Sequence, residues 1–148
     1  MLFETPANLK DFAGFPIYGL EDLPTDISYL SSSVLKYIDS DDVYSTTVTY
    51  VAESTLGVRV SPVSIHARRS FAKSFPVYRS DPLFEGEPYV EVVAYDSLPQ
   101  PGIRYNGVNS FVFQWIEDDV LYTVRQEATL LSTPPDFSSV AGTLVRYS

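Results

Sequence analysis

The residues able to carry chemistry in this chain are few. The single imidazole, His66, lies in Ser64-Ile65-His66-Ala67, and a Ser or Thr nucleophile would need it as its base. No Gly-x-Ser-x-Gly elbow is present. One His cannot form a His-x-x-x-His metal pair, and the absence of Cys removes thiolate nucleophiles, disulfides and Cys-ligated metals. Asp39, Asp41 and Asp42 make one acidic turn, and Glu117, Asp118 and Asp119 make another. The glycine bend and distal bidentate Glu of a calcium loop are missing around the first turn. Both turns therefore read as solvated carboxylates. The expectation is a non-enzyme with no cofactor and no metal. A small hydrolase stays open as an alternative, because the separation of a carboxylate pair is a three-dimensional quantity.

A second constellation is basic and aromatic. Arg68, Arg69, Lys73 and Arg79 hold four of the ten Lys and Arg residues, with Phe71, Phe75 and Tyr78 interleaved. Such a mixture suits a single-stranded nucleic acid in some proteins. Here the net charge of -9 repels polyanions at long range. The segment reads instead as a loop for docking a protein partner or another copy's acidic turns, with no nucleic acid bound.

What must position these residues follows from composition. At 148 residues the chain suits a single domain spanning 1–148, since dividing it would leave two marginal cores. Hydrophobic residues at 45% and charged residues at 20% place it among globular proteins. Eleven Tyr and nine Phe, beside many Val and Thr, favour pleated surfaces. No apolar run approaches the roughly 18–20 residues of a membrane helix, so a soluble chain without membrane insertion is expected. A Cys-free sequence fits a cytosolic protein, a virion protein or a bacterial exterior equally.

Along the chain, Thr5-Pro6 opens a short helix that carries Leu9, Phe12 and Ala13 on one face and stops at Gly14. Phe15-Pro16-Ile17-Tyr18-Gly19 and Leu23-Pro24 read as extended connection. Strands are expected over 34–38 and 43–51 around the turn at 39–42, then over 58–65, where Pro62 marks an edge or a bulge. Residues 67–86 read as a long irregular loop, followed by a strand over 89–95 and a turn at Pro99-Gln100-Pro101-Gly102. The clearest hairpin joins 110–116 to 120–126. There Phe111, Phe113 and Trp115 alternate with Val112 and Gln114, which predicts that Trp115 faces the core. Asp136 can cap a final amphipathic helix with Phe137, Val140, Ala141, Leu144 and Val145 at helical spacing. The fold class is α+β: a mainly antiparallel sheet of about five to seven strands, a short N-terminal helix and an amphipathic C-terminal helix.

This order resembles the lipoprotein-carrier-like regulatory domains in the extracytoplasmic parts of bacterial anti-sigma-factor-type and spore-associated membrane proteins. The matching residues are Gly14 to Tyr18 with Leu23-Pro24, then Val48-Thr49-Tyr50, then Gly107, Trp115 and Tyr122, and last the 136–144 segment. Asp118-Asp119 stands where that family often has Gly, and residues 1–148 include no lead-in membrane helix. The resemblance implies a non-enzymatic sensing or partner-binding domain outside the cytoplasm, its sheet curved around a helix. The alternative is a structural subunit of a phage or virion head, neck or tail, suggested by acidity, the lack of Cys, Tyr-rich strands and a long loop that would be idle on a monomer.

Overall fold

The computed structural model describes residues 2–3, 6–21, 27–53, 59–70, 91–93, 98–99, 101–107, 110–127 and 144–148. In chain order its elements are β1 (Leu2–Phe3), α1 (Pro6–Ala13), β2 (Ile17–Leu20), β3 (Ile27–Lys36), β4 (Val43–Glu53), β5 (Arg59–Arg69), β6 (Glu91–Val93), β7 (Gly102–Gly107), β8 (Ser110–Glu117), β9 (Val120–Glu127) and β10 (Leu144–Tyr147). Helix α1 begins with Pro6, whose missing N–H has no intrahelical acceptor in any case. It ends before Gly14 at φ 73, a left-handed conformation that costs glycine nothing. Leu9 and Ala13, one turn apart, are buried, whereas Phe12, expected on the same face, is 52% exposed.

Eight strands form one sheet in the order β1-β3-β4-β5-β9-β8-β7-β6, with antiparallel pairing throughout. The β5–β9 pairing joins two meanders, β3-β4-β5 and β6-β7-β8-β9. The expected range of strand number is exceeded, because β1, β2, β7 and β10 are too short for alternation to announce them. Residues 15–19 do run extended, and from Ile17 they form β2, which pairs with β10. Leu144 and Val145 therefore do not close a helix. They lie in β10, while residues 136–143, the rest of that expected helix, fall outside the described residues. Strand β5 lies between β4 and β9, so Pro62 is not on an edge. The register moves from Tyr50↔Val63 to Ala52↔Val60. That step places the bulge across residues 61–62, where a proline lacking a ladder N–H is tolerated.

Register fixes which side chains share a face. One row runs Trp115, Tyr122, Ala67, Thr46, Val34, and the next runs Phe113, Val124, Ile65, Val48, Ser32. These rows form the inner face, and most of their members are buried. Helix α1 and the β2–β10 ribbon lie across this face, adding Leu9, Ala13, Ile17 and Tyr18 to a shared core, with Leu144 and Tyr147 packed against it. Trp115 is fully buried, as its parity with Phe113 requires.

Candidate functional site

Among the described residues, a cluster of polar and aromatic groups lies where the β2–β10 ribbon meets side chains of β8 and β9. Glu117 ends β8 with the parity of Trp115 and Phe113, so its side chain turns inward and only 4% of the residue is exposed. The solvated turn carboxylate expected at this position is thus a buried one. Tyr18 from β2 donates its hydroxyl proton to Glu117 Oε1 at 2.7 Å. Arg146 from β10 donates from Nε to Oε2 at 3.1 Å. Each carboxylate oxygen has a donor, so the cost of burying the charge is offset by charge-assisted bonds.

Aromatic packing completes this clasp. Tyr18 meets Trp115 and Tyr122 edge-on at 5.1 and 5.0 Å, and Trp115 stacks on Tyr122 at 5.1 Å. The Tyr122 hydroxyl donates to the Pro16 carbonyl at 2.5 Å, and the Leu20 N–H donates to the Tyr50 hydroxyl at 2.8 Å. Gly19 suits that contact, because a Cβ there would stand 3.0 Å from both Tyr50 Oη and Tyr147 Cε2, and those rings would have to give way to it. Burial, and then the bond to and charge of Glu117, push the Tyr18 phenol far above its ordinary range. Burial and the same carboxylate act on Tyr122, and burial pushes Tyr50 up to about 12. Phenols held neutral in this way are poor bases and poor nucleophiles. The clasp fastens the ribbon to the sheet.

His66 sits on the opposite face, in a row that runs Gln114, Thr123, His66, Thr47, Ser33. Its Nδ1 shares a 3.0 Å hydrogen bond with Thr47 Oγ1, and Gln114 Nε2 donates to Thr123 Oγ1 at 3.0 Å. Burial, followed by the charge of Arg68, lowers the imidazole pKa. Among the described residues no carboxylate orients this ring as a catalytic base would require. Among the described residues no group of three or more His, Asp or Glu side chains is placed to hold a metal ion. No described helix is long and apolar enough to cross a membrane.

The basic segment divides. Arg68 and Arg69 belong to β5 and not to the irregular loop expected from residue 67 onward, while Phe71, Lys73, Phe75, Tyr78 and Arg79 lie outside the described residues. Arg69 is committed within the chain: Nε donates to the Val43 carbonyl at 3.0 Å, and the guanidinium stands 5.2 Å over the Phe15 ring. Arg68, on the other face, is exposed.

Sequence reading missed the β3–β4 hairpin tip as an apolar surface. Leu35 is 63% exposed, Tyr37 42% and Ile38 91%, beside the exposed Asp39, Asp41 and Asp42. The tip has internal order. Tyr37 N–H donates to Asp42 O at 3.0 Å, Ser40 N–H to Tyr37 O at 3.3 Å, and Asp42 N–H to Ser40 Oγ at 3.0 Å. The Tyr37 and Tyr44 rings meet edge-on at 5.3 Å. The signal available in the sequence was the run Leu35, Tyr37, Ile38 leading directly into an acidic turn, where a solvated loop would carry small polar residues.

Comparison with known proteins finds no matching family, no matching curated protein and no matching solved structure.

Proposed function

We propose that this chain is a non-enzymatic binding domain that works through protein contacts, with the β3–β4 hairpin tip as a contact element. The observation that carries the reading is Ile38, 91% exposed on an ordered turn with Leu35 and Tyr37 close by. Isolated surface apolar residues need no explanation, but several gathered on one projecting tip mark an interaction surface. Burying a side chain of this size is worth roughly 1.5–3 kcal/mol, and a turn that already holds its shape loses little entropy on docking. The groups that resemble catalytic ones support the same reading, since Glu117 is spent on Tyr18 and Arg146 and His66 is bonded to Thr47.

The regulatory role implied by the family resemblance and the structural-subunit role are two forms of this proposal, and both place protein contact at its centre. The test is a photo-crosslinking residue at position 38, activated in the native source, beside an Ile38→Asp variant. The expected results are a crosslinked protein adduct at position 38 and a variant that loses association while melting with the parent. A variant melting several degrees lower, or a residue 38 that crosslinks to no protein, overturns the assignment of the tip.

A further inference from the structure

We propose that the occupant of the hairpin tip is the same tip on a second copy of the chain, in a two-fold dimer; this rests on the tip being a protein-contact element. The argument starts from a register row on the outer face: Leu35, Ser45, Arg68, Leu121. This row sets Arg68 at the base of the hairpin that carries the acidic tip. Arg68 is exposed, and among the described residues its side chain has no ion pair or hydrogen bond, which is unusual company for three aspartates. The cation on the hairpin itself, Lys36, stands 3.8 Å from an Asp41 side chain that lies wholly in water, a contact worth little, so one lysine stands among three exposed carboxylates.

The patch therefore has an apolar centre of Leu35 and Ile38, a negative side at the turn and a positive side at Arg68. A uniformly basic partner would be repelled by Arg68, and a uniformly acidic one by the turn. A surface bearing both signs about an apolar centre is complementary to itself under two-fold rotation, because each copy's turn then meets the other's Arg68. The net charge of -9 opposes the approach of two copies at long range, but at physiological salt that field is screened beyond roughly 8 Å. Contact at the patch then decides the outcome. Association should consequently be weak at very low salt, stronger near physiological salt, and weak again near molar salt, where the cross-pairs are screened as well.

The test is a charge exchange on the whole chain, read by sedimentation across micromolar to millimolar concentration. The parent is expected at twice the 16.5 kDa chain mass. Arg68→Glu alone sets carboxylate against carboxylate, and Asp41→Lys with Asp42→Lys sets cation against cation. Each should weaken association by roughly tenfold or more, with an unchanged circular-dichroism spectrum. An equimolar mixture of the two variants should return to dimer mass, since the turn of each now faces a base of opposite sign. A parent that stays monomeric throughout overturns the dimer; if position 38 still crosslinks to another protein, the contact role of the tip stands without it. A dimer that ignores both variants, or a mixture that fails to recover, overturns the pairing of Arg68 with the acidic turn.

Discussion

The two acidic hairpin turns, 39–42 and 117–119, are near twins in sequence and opposites in structure. The first follows Leu35, Tyr37 and Ile38 and leaves those side chains in water beside its aspartates. The second follows Phe113 and Trp115 and draws one carboxylate inside, where Tyr18 and Arg146 meet it. What separates them is the layer above. The β2–β10 ribbon crosses the sheet at β8 and β9 and supplies donors there. In the first hairpin, the ordering bonds of the turn itself come from residues 37–42. The same residue types thus serve as a structural fastening in one place and as a free surface in the other. The contrast predicts that stability is sensitive to substitution at the clasp and association at the tip.

The largest effects should come from the clasp. Trp115→Ala removes a fully buried ring that touches Tyr18, Phe113 and Tyr122, and chemical denaturation should show a loss of about 3–5 kcal/mol. Arg146→Ala should cost about 3 kcal/mol, since it leaves a buried carboxylate short of its cation. Glu117→Ala should cost a comparable amount, about 3 kcal/mol, because the Arg146 side chain, 41% exposed, can return to water but the buried Tyr18 hydroxyl loses its acceptor. A loss below about 1 kcal/mol for Arg146→Ala would show that the carboxylate is not desolvated as its burial requires.

Next in size is the response to alkali. Tyr18, Tyr50 and Tyr122 all titrate above their ordinary value of 10.0 in the folded chain, chiefly through burial. Above pH 10 the unfolded chain releases these protons while the folded one keeps them, so stability falls as pH rises. For Tyr50 the window runs from 10.0 to about 12. Each retained proton weakens folding by about 1.4 kcal/mol per pH unit within its window. Tyr50→Phe should flatten the slope of denaturation midpoint against pH between these limits, and an unaltered slope would contradict the burial of its hydroxyl. His66 contributes at the other end with the opposite sign. Its folded pKa is lowered, so the unfolded chain takes up the proton first and stability falls as pH drops below 6.5.

How much of this was legible depends on the range over which each feature is decided. The β8–β9 hairpin and the inward Trp115 were readable, because alternation within one strand settles them. Glu117 could have been found by the same rule: it is two residues beyond Trp115 and shares its face. Proximity to Asp118 and Asp119 hid it. The partners Tyr18 and Arg146 were not readable, because the pairing of β10 with β2 joins opposite ends of the chain. Leu144 and Val145 also fit helical spacing as well as a strand, and four residues are too few for periodicity to decide. Arg68 and Arg69 were singled out together, but strand parity sends them to opposite faces and gives them different tasks.

At the tip the expected stability changes are small, which is what sharpens the comparison. Ile38→Asp replaces a side chain that is already in water and should shift stability by no more than about 0.5 kcal/mol while reducing association. The subtlest case is Asp39, which holds φ 61 within the turn. Aspartate tolerates the left-handed region at a modest cost, and glycine removes that cost while loosening the unfolded chain. The two terms oppose each other, so Asp39→Gly should raise stability by only a few tenths of a kcal/mol. The variant also deletes one exposed carboxylate while leaving Asp41, Asp42 and Arg68 in place. If the cross-pairs run through those residues, the dimer constant should stay within a factor of about three of the parent, a change smaller than 1 kcal/mol. A larger loss would mean that association reads the summed charge of the turn and not the pairing of particular side chains. The charge-exchange mixture and this single substitution would then disagree, and the tip would act as a diffuse acidic lure for a basic surface.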